Sequence, residues 1–202
     1  MLRMPRVPLF ALPRRSYRST GLSPSGRRPG GGALRRGLHV LQHPHPALRQ
    51  TALAVGAEQF RDGSLHEVAE AMVRLMIEHD GVGLAAPQLG LPLRLIVINP
   101  SATGSPPHLL ALANPTLLGA AATPAVAGEP GVEVGAEACL SIADVEADVP
   151  RWQHVRCSAQ TLDGDRVELS ASHFAARLLQ HEIDHLDGVL FIDRVVAGSP
   201  YA

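Results

Sequence analysis

The stretch of this chain best equipped for chemistry is His181-Glu182-Ile183-Asp184-His185, which has the form HExxH. In a helix, residues i and i+4 share a face, so the two imidazoles can grip one cation while Glu182 sits beside it. Alone, the pattern is only moderately specific, because a helix with two His and a Glu can be plain surface. Helical context shifts the balance. Phe174, Leu178, His181 and His185 run along one stripe, so the imidazoles face the same way as apolar groups. A buried imidazole pair without a partner is costly, and a cation is a natural partner.

A third ligand must come from elsewhere. In the metzincin arrangement it would be a His ten residues after the first, but that position holds Phe191. No Glu follows Glu182, and Asp187 and Asp193 crowd the helix end. The search therefore moves upstream, where Cys139 is the best candidate. A thiolate with two neutral imidazoles leaves an open fourth position, as in catalytic rather than structural sites. Cys157 is the competitor, but it falls on the alternating apolar face of a hairpin and reads more simply as a core thiol. Two cysteines do not make a disulfide framework.

The elements that must position these groups can be read in outline. Leu38 to Leu41 fits a short strand before a turn at Pro44 and Pro46. Ser64 is placed to cap a helix over residues 65–79, with Glu67 completing a capping box and Asp80-Gly81 as the stop. Val68, Met72, Leu75 and Met76 give that helix an apolar face. Residues 81–88 read as a glycine-rich loop, 93–99 as a strand, and 109–118 as containing another. After an Ala/Pro/Gly-rich loop at 119–130 comes a strand-like stretch around 137–141. Residues 152–161 and 166–169 form a hairpin, turned by Asp163-Gly164, with Val155, Cys157 and Ala159 on one face. A last helix spans 171–187, capped by Ser170 or Ser172 and stopped by Gly188. Strands through the middle with one helix early and one late argue for α+β.

Composition narrows the function classes. At 202 residues the chain fits one domain with a tail. Its hydrophobic fraction is 46%, but aromatics make up only 3%, a poor basis for stacking nucleic-acid bases. All 18 basic residues are Arg, and nine lie within residues 1–36, before the first acid at Glu58. Residues 37–202 therefore carry nine Arg against 19 acids, a net of −10, which does not attract nucleic-acid phosphates. No apolar run is long enough to span a membrane. The Arg-rich, acid-free leader, residues 1–37, has the composition of an organelle transit peptide and is expected to be disordered, with 38–202 as the catalytic domain.

Three segments together make a resemblance specific. Residues 81–88 read GVGLAAPQ, 137–141 read EACLS, and 180–188 read QHEIDHLDG. In order and spacing they resemble the motifs GxGLAAxQ, EGCLS and QHExDHLxG of peptide deformylases, with Ala138 standing where the second has glycine. The resemblance spans about residues 38–195. It implies an α+β fold with mixed and antiparallel strands packed around the HExxH helix, and a metal-dependent hydrolase acting on N-formylmethionyl nascent peptides. It implies that Cys139, His181 and His185 bind the metal, that Glu182 handles the proton, and that Gln88 and the Leu140 N–H stabilise the oxyanion. Gly83 would align the substrate backbone beside Gly81, with Val82, Phe174 and Leu178 as walls for the methionine side chain.

The implied cofactor is Fe²⁺, with Zn²⁺ as the alternative; the Cys/His/His set is compatible with both. Transient ribosome association is the matching partner expectation, with no nucleic-acid or membrane contact. The leader points to a mitochondrion, with a plastid as alternative, or bacterial cytoplasm if it is not a transit peptide. Rival readings are a small HExxH metallopeptidase, which leaves residues 81–88 unexplained, a zinc-stabilised binding domain, which has no need of Glu182, and a degenerate deformylase-like protein. Around the site, Glu137 and Arg151 could brace the Cys139 loop or be unrelated surface charges, and Asp184 could orient a ligand imidazole or be exposed. Arg177 reads as a solvated charge, and His43, His45, His79, His108 and His154 as ordinary loop or surface residues.

Overall fold

Four consecutive apolar residues, Leu95-Ile96-Val97-Ile98, form a strand buried on both faces, and the rest of the fold is arranged around it. A strand projects alternate side chains to opposite faces. Ile96 and Ile98 accordingly pack with Leu178, Leu179, Ile183 and Leu186 of one helix. Leu95 and Val97 pack with Val68, Met72 and Met76 of another. In the computed structural model, which describes residues 37–101, 109–197 and 199, the order is α1 (Ala57–Arg61), α2 (Ser64–Glu78), β1 (Gly83–Ala85), β2 (Leu95–Ile98), β3 (Leu110–Leu118), β4 (Val132–Cys139), β5 (Ile142–Trp152), β6 (His154–Gln160), β7 (Arg166–Ser172) and α3 (Phe174–Leu186). The expected leader (all but Gly37) and His108 lie outside these residues.

The main sheet runs β1-β2-β3-β6-β7, antiparallel at every step, with α2 and α3 on opposite faces of β2. A second sheet is the hairpin β4-β5. The α+β expectation stands, and parallel pairing is confined, among the described residues, to one isolated bridge, Leu53 to Leu93. Among the same residues no helix is long and apolar enough to cross a membrane.

Several local expectations are corrected. Leu38 to Leu41 is not a strand; it is an extended strap whose Leu41 N–H donates to the Gln88 carbonyl at 2.7 Å. Ser64 is the first residue of α2 and not its cap: Gly63 takes the cap position, and Ser64 donates its own N–H to Asp62 Oδ1 at 2.8 Å. Ser170 and Ser172 belong to β7, because pairing with β6 continues to His154 opposite Ser172, so α3 starts only at Phe174. Gly188, at φ +72°, does stop that helix. Residues 81–88 are not all loop: Gly83–Ala85 pairs with β2, and Ala86–Leu89 is a 3-10 helix.

The largest omission is β5, eleven residues long. Its Val145, Ala147 and Val149 do alternate, but they are interleaved with Asp144, Glu146 and Asp148 in a segment rich in weak strand formers. Tertiary pairing with β4 supplies what local propensity lacks. Residues 152–160 accordingly divide, with Trp152 ending β5 and His154 opening β6.

Candidate metal and active site

Two elements bring the site together, and each does so for a local reason. The hairpin β4-β5 turns through Leu140 and Ser141 with a register shift at Ala138/Cys139, which places Cys139 at the tip of the ladder. Helix α3 presents its i and i+4 positions, His181 and His185, to that tip. The ligand atoms of Cys139, His181 and His185 all lie within 4.8 Å of one another, and the Cys139 sulfur is 3.3 Å from His185 Nε2. Cys157 sits in the apolar cluster under α3, where burial pushes its thiol up to about 11 against an opposing backbone hydrogen bond at Thr116. Of the two cysteines, geometry brings only Cys139 to the imidazoles.

The donor set fits a cation. The Gln88 side-chain amide, at 3.5 Å, and the Ser141 backbone N–H, at 3.4 Å, both point at the Cys139 sulfur. Burial works against charge on both imidazoles. At His185 the nearness of His181 and Arg151 adds to burial, and the ring is held well below the ordinary imidazole range. At His181 burial is overcome by hydrogen bonds to Cys139 and Glu137, which hold its proton more tightly than usual. That proton is the charge a bound cation would replace, so metal binding should release it.

Glu182 is the carboxylate beside these ligands. It is buried, its Oε2 has no hydrogen-bond partner among the described residues, and burial raises it to about 7, with His181 opposing and Glu137 adding to the rise. A carboxyl poised near neutrality can take and return a proton at working pH. The space it needs is set by Gly83, where a Cβ would stand 2.2 Å from Glu182 Oε1 and 2.8 Å from Leu178 Cδ1. Glycine matters here because a Cβ would displace the Glu182 carboxylate and the Leu178 side chain, not because of an unusual φ.

A cleft of about 710 Å³ opens over these groups. Its lining includes Gly81, Val82, Gly83, Gln88, Cys139, Leu140, Phe174, Leu178, His181 and Glu182, so all but one of the residues expected at the site are brought together on it. The exception, His185, lies deeper. Phe174 is 43% exposed and forms the outer wall. Ala138 is exposed on the same lining, so its methyl group enters the cleft without displacing core. Gln88 is buried and fixed from both ends: its Oε1 accepts from the Ala85 N–H at 2.8 Å and its Nε2 donates to Ser141 Oγ at 3.1 Å.

Behind the ligands lies a network of charge that the sequence shows only in part. Glu137 and Arg151 do pair, through two bonds of 2.8 and 3.0 Å, both side chains 4% exposed. Glu137 Oε2 accepts from His181 Nδ1 at 2.9 Å, fixing that ring's tautomer and orientation. Arg177 is not the solvated charge its position suggests. It donates to Glu137 Oε1 at 3.0 Å and to the carbonyls of Gly135, Val149 and Glu133, locking α3 to the hairpin. Its place one helical turn before His181 was the available signal. Asp184 is buried, but among the described residues it meets Arg151 and Arg194 and no imidazole.

Comparison with known proteins places this architecture. A family model described as polypeptide deformylase matches residues 38–200. A peptide deformylase of Acidobacterium capsulatum is 37% identical over 158 residues, covering 78% of this chain and 86% of that one. The chloroplastic/mitochondrial peptide deformylase 1B of Arabidopsis thaliana is 35% identical over 78% of this chain and 54% of its own length. Among solved structures, a class I type b peptide deformylase from Acinetobacter baumannii superposes with TM-score 0.68 at 33% identity, covering 78% of this chain and 98% of that one. The Thermotoga maritima enzyme superposes with TM-score 0.68 at 34% identity, covering 79% and 97%.

The Glu137 cluster predicts a pH dependence. Burial alone would raise this carboxyl, but the bonds from Arg151 and His181 win and hold it well below its ordinary 4.5. A depressed folded-state value contributes stability above the unfolded pKa and loses it as pH falls toward the folded one. Glu137→Gln should therefore cost about 3–5 kcal/mol at neutral pH, the penalty for breaking a buried pair. The gap to the native chain should narrow as pH falls to about 3.5. Urea unfolding with a chelator present checks this, and a gap independent of pH contradicts it.

Proposed function

The chain belongs to the polypeptide deformylase family, whose metal-dependent members remove the formyl group from nascent formylated peptides, and on that premise we propose that Cys139, His181 and His185 hold the metal and Glu182 moves the proton. The observation that carries this reading is the convergence of one sulfur and two imidazoles within 4.8 Å beside a buried carboxylate whose Oε2 has no hydrogen-bond partner among the described residues. A divalent cation held there supplies a water nucleophile near neutral pH and polarises the formyl carbonyl. We assign Fe²⁺ as the native ion, with Zn²⁺ as substitute; the sulfur and imidazole set is compatible with both, and the family resemblance favours iron.

The remaining work falls to side chains. Glu182 accepts the proton of the attacking water and delivers it to the amine as the C–N bond breaks, so formamide and water become formate and a free N-terminus. The Gln88 amide and the Leu140 N–H donate to the oxygen that gains charge. The Gln88 contact to sulfur is long at 3.5 Å and is the one that yields. Losing one such donor typically costs about 2.7–4 kcal/mol of barrier. Gly83 aligns the substrate backbone, Gly81 leaves room beside it, and Val82, Phe174 and Leu178 flank the methionine side chain. The space left at Gly83 suits a formyl hydrogen better than an acetyl methyl.

The leader and partners belong to the same proposal. Residues 1–37 direct the protein to the mitochondrion, a reading supported by their nine Arg without an acid. The double label of the Arabidopsis thaliana relative keeps a plastid as the alternative. Nascent substrate implies transient contact with the ribosome.

Two outcomes test this. Glu182→Ala should stay folded and metal-loaded while formate release from formyl-Met-Ala-Ser drops by about 10²–10⁴-fold; near-normal turnover at saturating substrate would remove the mechanism. Residues 1–37 fused to a fluorescent protein should carry it into mitochondria, and a chain starting at Leu38 should keep its activity. A diffuse cytosolic signal would remove the organelle assignment and leave the hydrolase untouched.

A further inference from the structure

Arg194 lies outside the cleft, just past the 3-10 helix Phe191–Asp193 that follows α3. Its Nε donates to Asp184 Oδ2 and its Nη2 to Asp184 Oδ1, both at 2.6 Å, a two-pronged bond in a fixed plane. The same Oδ2 accepts from Arg151 Nη1 at 2.6 Å. Arg151 turns its other edge to Glu137, and Glu137 Oε2 accepts from His181 Nδ1 at 2.9 Å. Positive and negative groups thus alternate in an unbroken chain from the turn after α3 to one imidazole. The same turn reaches that ring a second way, since Phe191 stacks on His181 with centroids 6.1 Å apart.

We propose that Arg194 is a positioning residue for His181, acting through Asp184, Arg151 and Glu137; this rests on His181 being a metal ligand. The reason lies in how Arg151 is shared. With Arg194 present, Asp184 is satisfied on both oxygens, and Arg151 can give its bidentate edge to Glu137. Without Arg194, two buried carboxylates compete for that guanidinium. Any turn of Arg151 toward Asp184 loosens Glu137, and with it the tautomer and orientation of the ring. Groups that orient a ligand imidazole from behind typically tune metal affinity by 10–100-fold, and a residue acting through three intermediates should fall near the low end.

The same turn supplies its own control. Arg49 pairs with Asp193, both about two-fifths exposed, and so anchors the turn to the 3-10 helix Pro46–Arg49; Asp193 feels the charge of Arg194, but among the described residues neither Arg49 nor Asp193 hydrogen-bonds to any member of the chain of charges. Zinc affinity, measured on the full chain by competition with a chromogenic chelator, separates the possibilities. Arg194→Met should weaken it about tenfold. Arg194→Lys, which keeps the charge but only one prong, should weaken it less. Arg49→Met should match the native chain, and His181→Ala, the reference, should lose far more than any of them.

Equal losses for Arg194→Met and Arg49→Met would mean simple anchoring of the turn and would overturn the proposal. So would native affinity in Arg194→Met while His181→Ala binds poorly, an outcome that leaves the ligand assignment intact. Native affinity in His181→Ala would overturn both. If Arg194→Met does not fold, native affinity in Arg194→Lys is the overturning result.

Discussion

Arg151 is buried between two carboxylates, Glu137 on β4 and Asp184 on α3, and so ties the hairpin that carries Cys139 to the helix that carries His181 and His185. A buried guanidinium is costly unless its donors are met with good geometry, and here the bonds to carboxylate oxygens run from 2.6 to 3.0 Å. The hairpin carries the sulfur and the helix carries the imidazoles, and these are separate units of the fold. A purely apolar contact between them would tolerate sliding, because the hydrophobic effect has no direction. Paired charges do not. Arg177 adds a second tie of the same kind, bonding from α3 to three carbonyls and Glu137 across the hairpin.

Apolar packing does a different job. It sets α3 against β2, and β2 against α2, so that the HExxH helix is immersed in core on one side and meets the cleft on the other. Immersion leaves Glu182 Oε2 without a hydrogen-bond partner among the described residues and lifts the carboxyl to about 7. The fold thus tolerates a buried carboxylate whose Oε2 has no hydrogen-bond partner among the described residues, and offsets it with the cores on either side of the sheet. Gly83 belongs to the same constraint, since a side chain there would push the Glu182 carboxylate and the Leu178 side chain from the places they hold.

What could be read from the sequence divides along physical lines. Side-chain chemistry at fixed local spacing was legible: the two imidazoles at i and i+4, the capacity of Cys139 to join them, and the hairpin with Val155, Cys157 and Ala159 inward. Features settled by distant partners were not. β5 forms because β4 pairs with it, although Asp144, Glu146 and Asp148 weaken its local signal. Ser170 and Ser172 look like caps, yet the β6 ladder claims them. Arg177 reads as a surface charge and Asp184 is left open between orienting an imidazole and being exposed, because their partners lie 28 to 44 residues away or, for Arg194, beyond the helix end. Burial of a charge cannot be inferred without the group that neutralises it.

The central claim is that one sulfur, brought to two imidazoles by the hairpin tip, completes the metal site. With cobalt in place of the native ion, thiolate ligation produces a sulfur-to-metal charge-transfer band in the near ultraviolet. Cys139→Ser should abolish that band, and Cys157→Ser, which alters only a core thiol, should retain it. Loss of the band in Cys157→Ser with retention in Cys139→Ser would contradict the account.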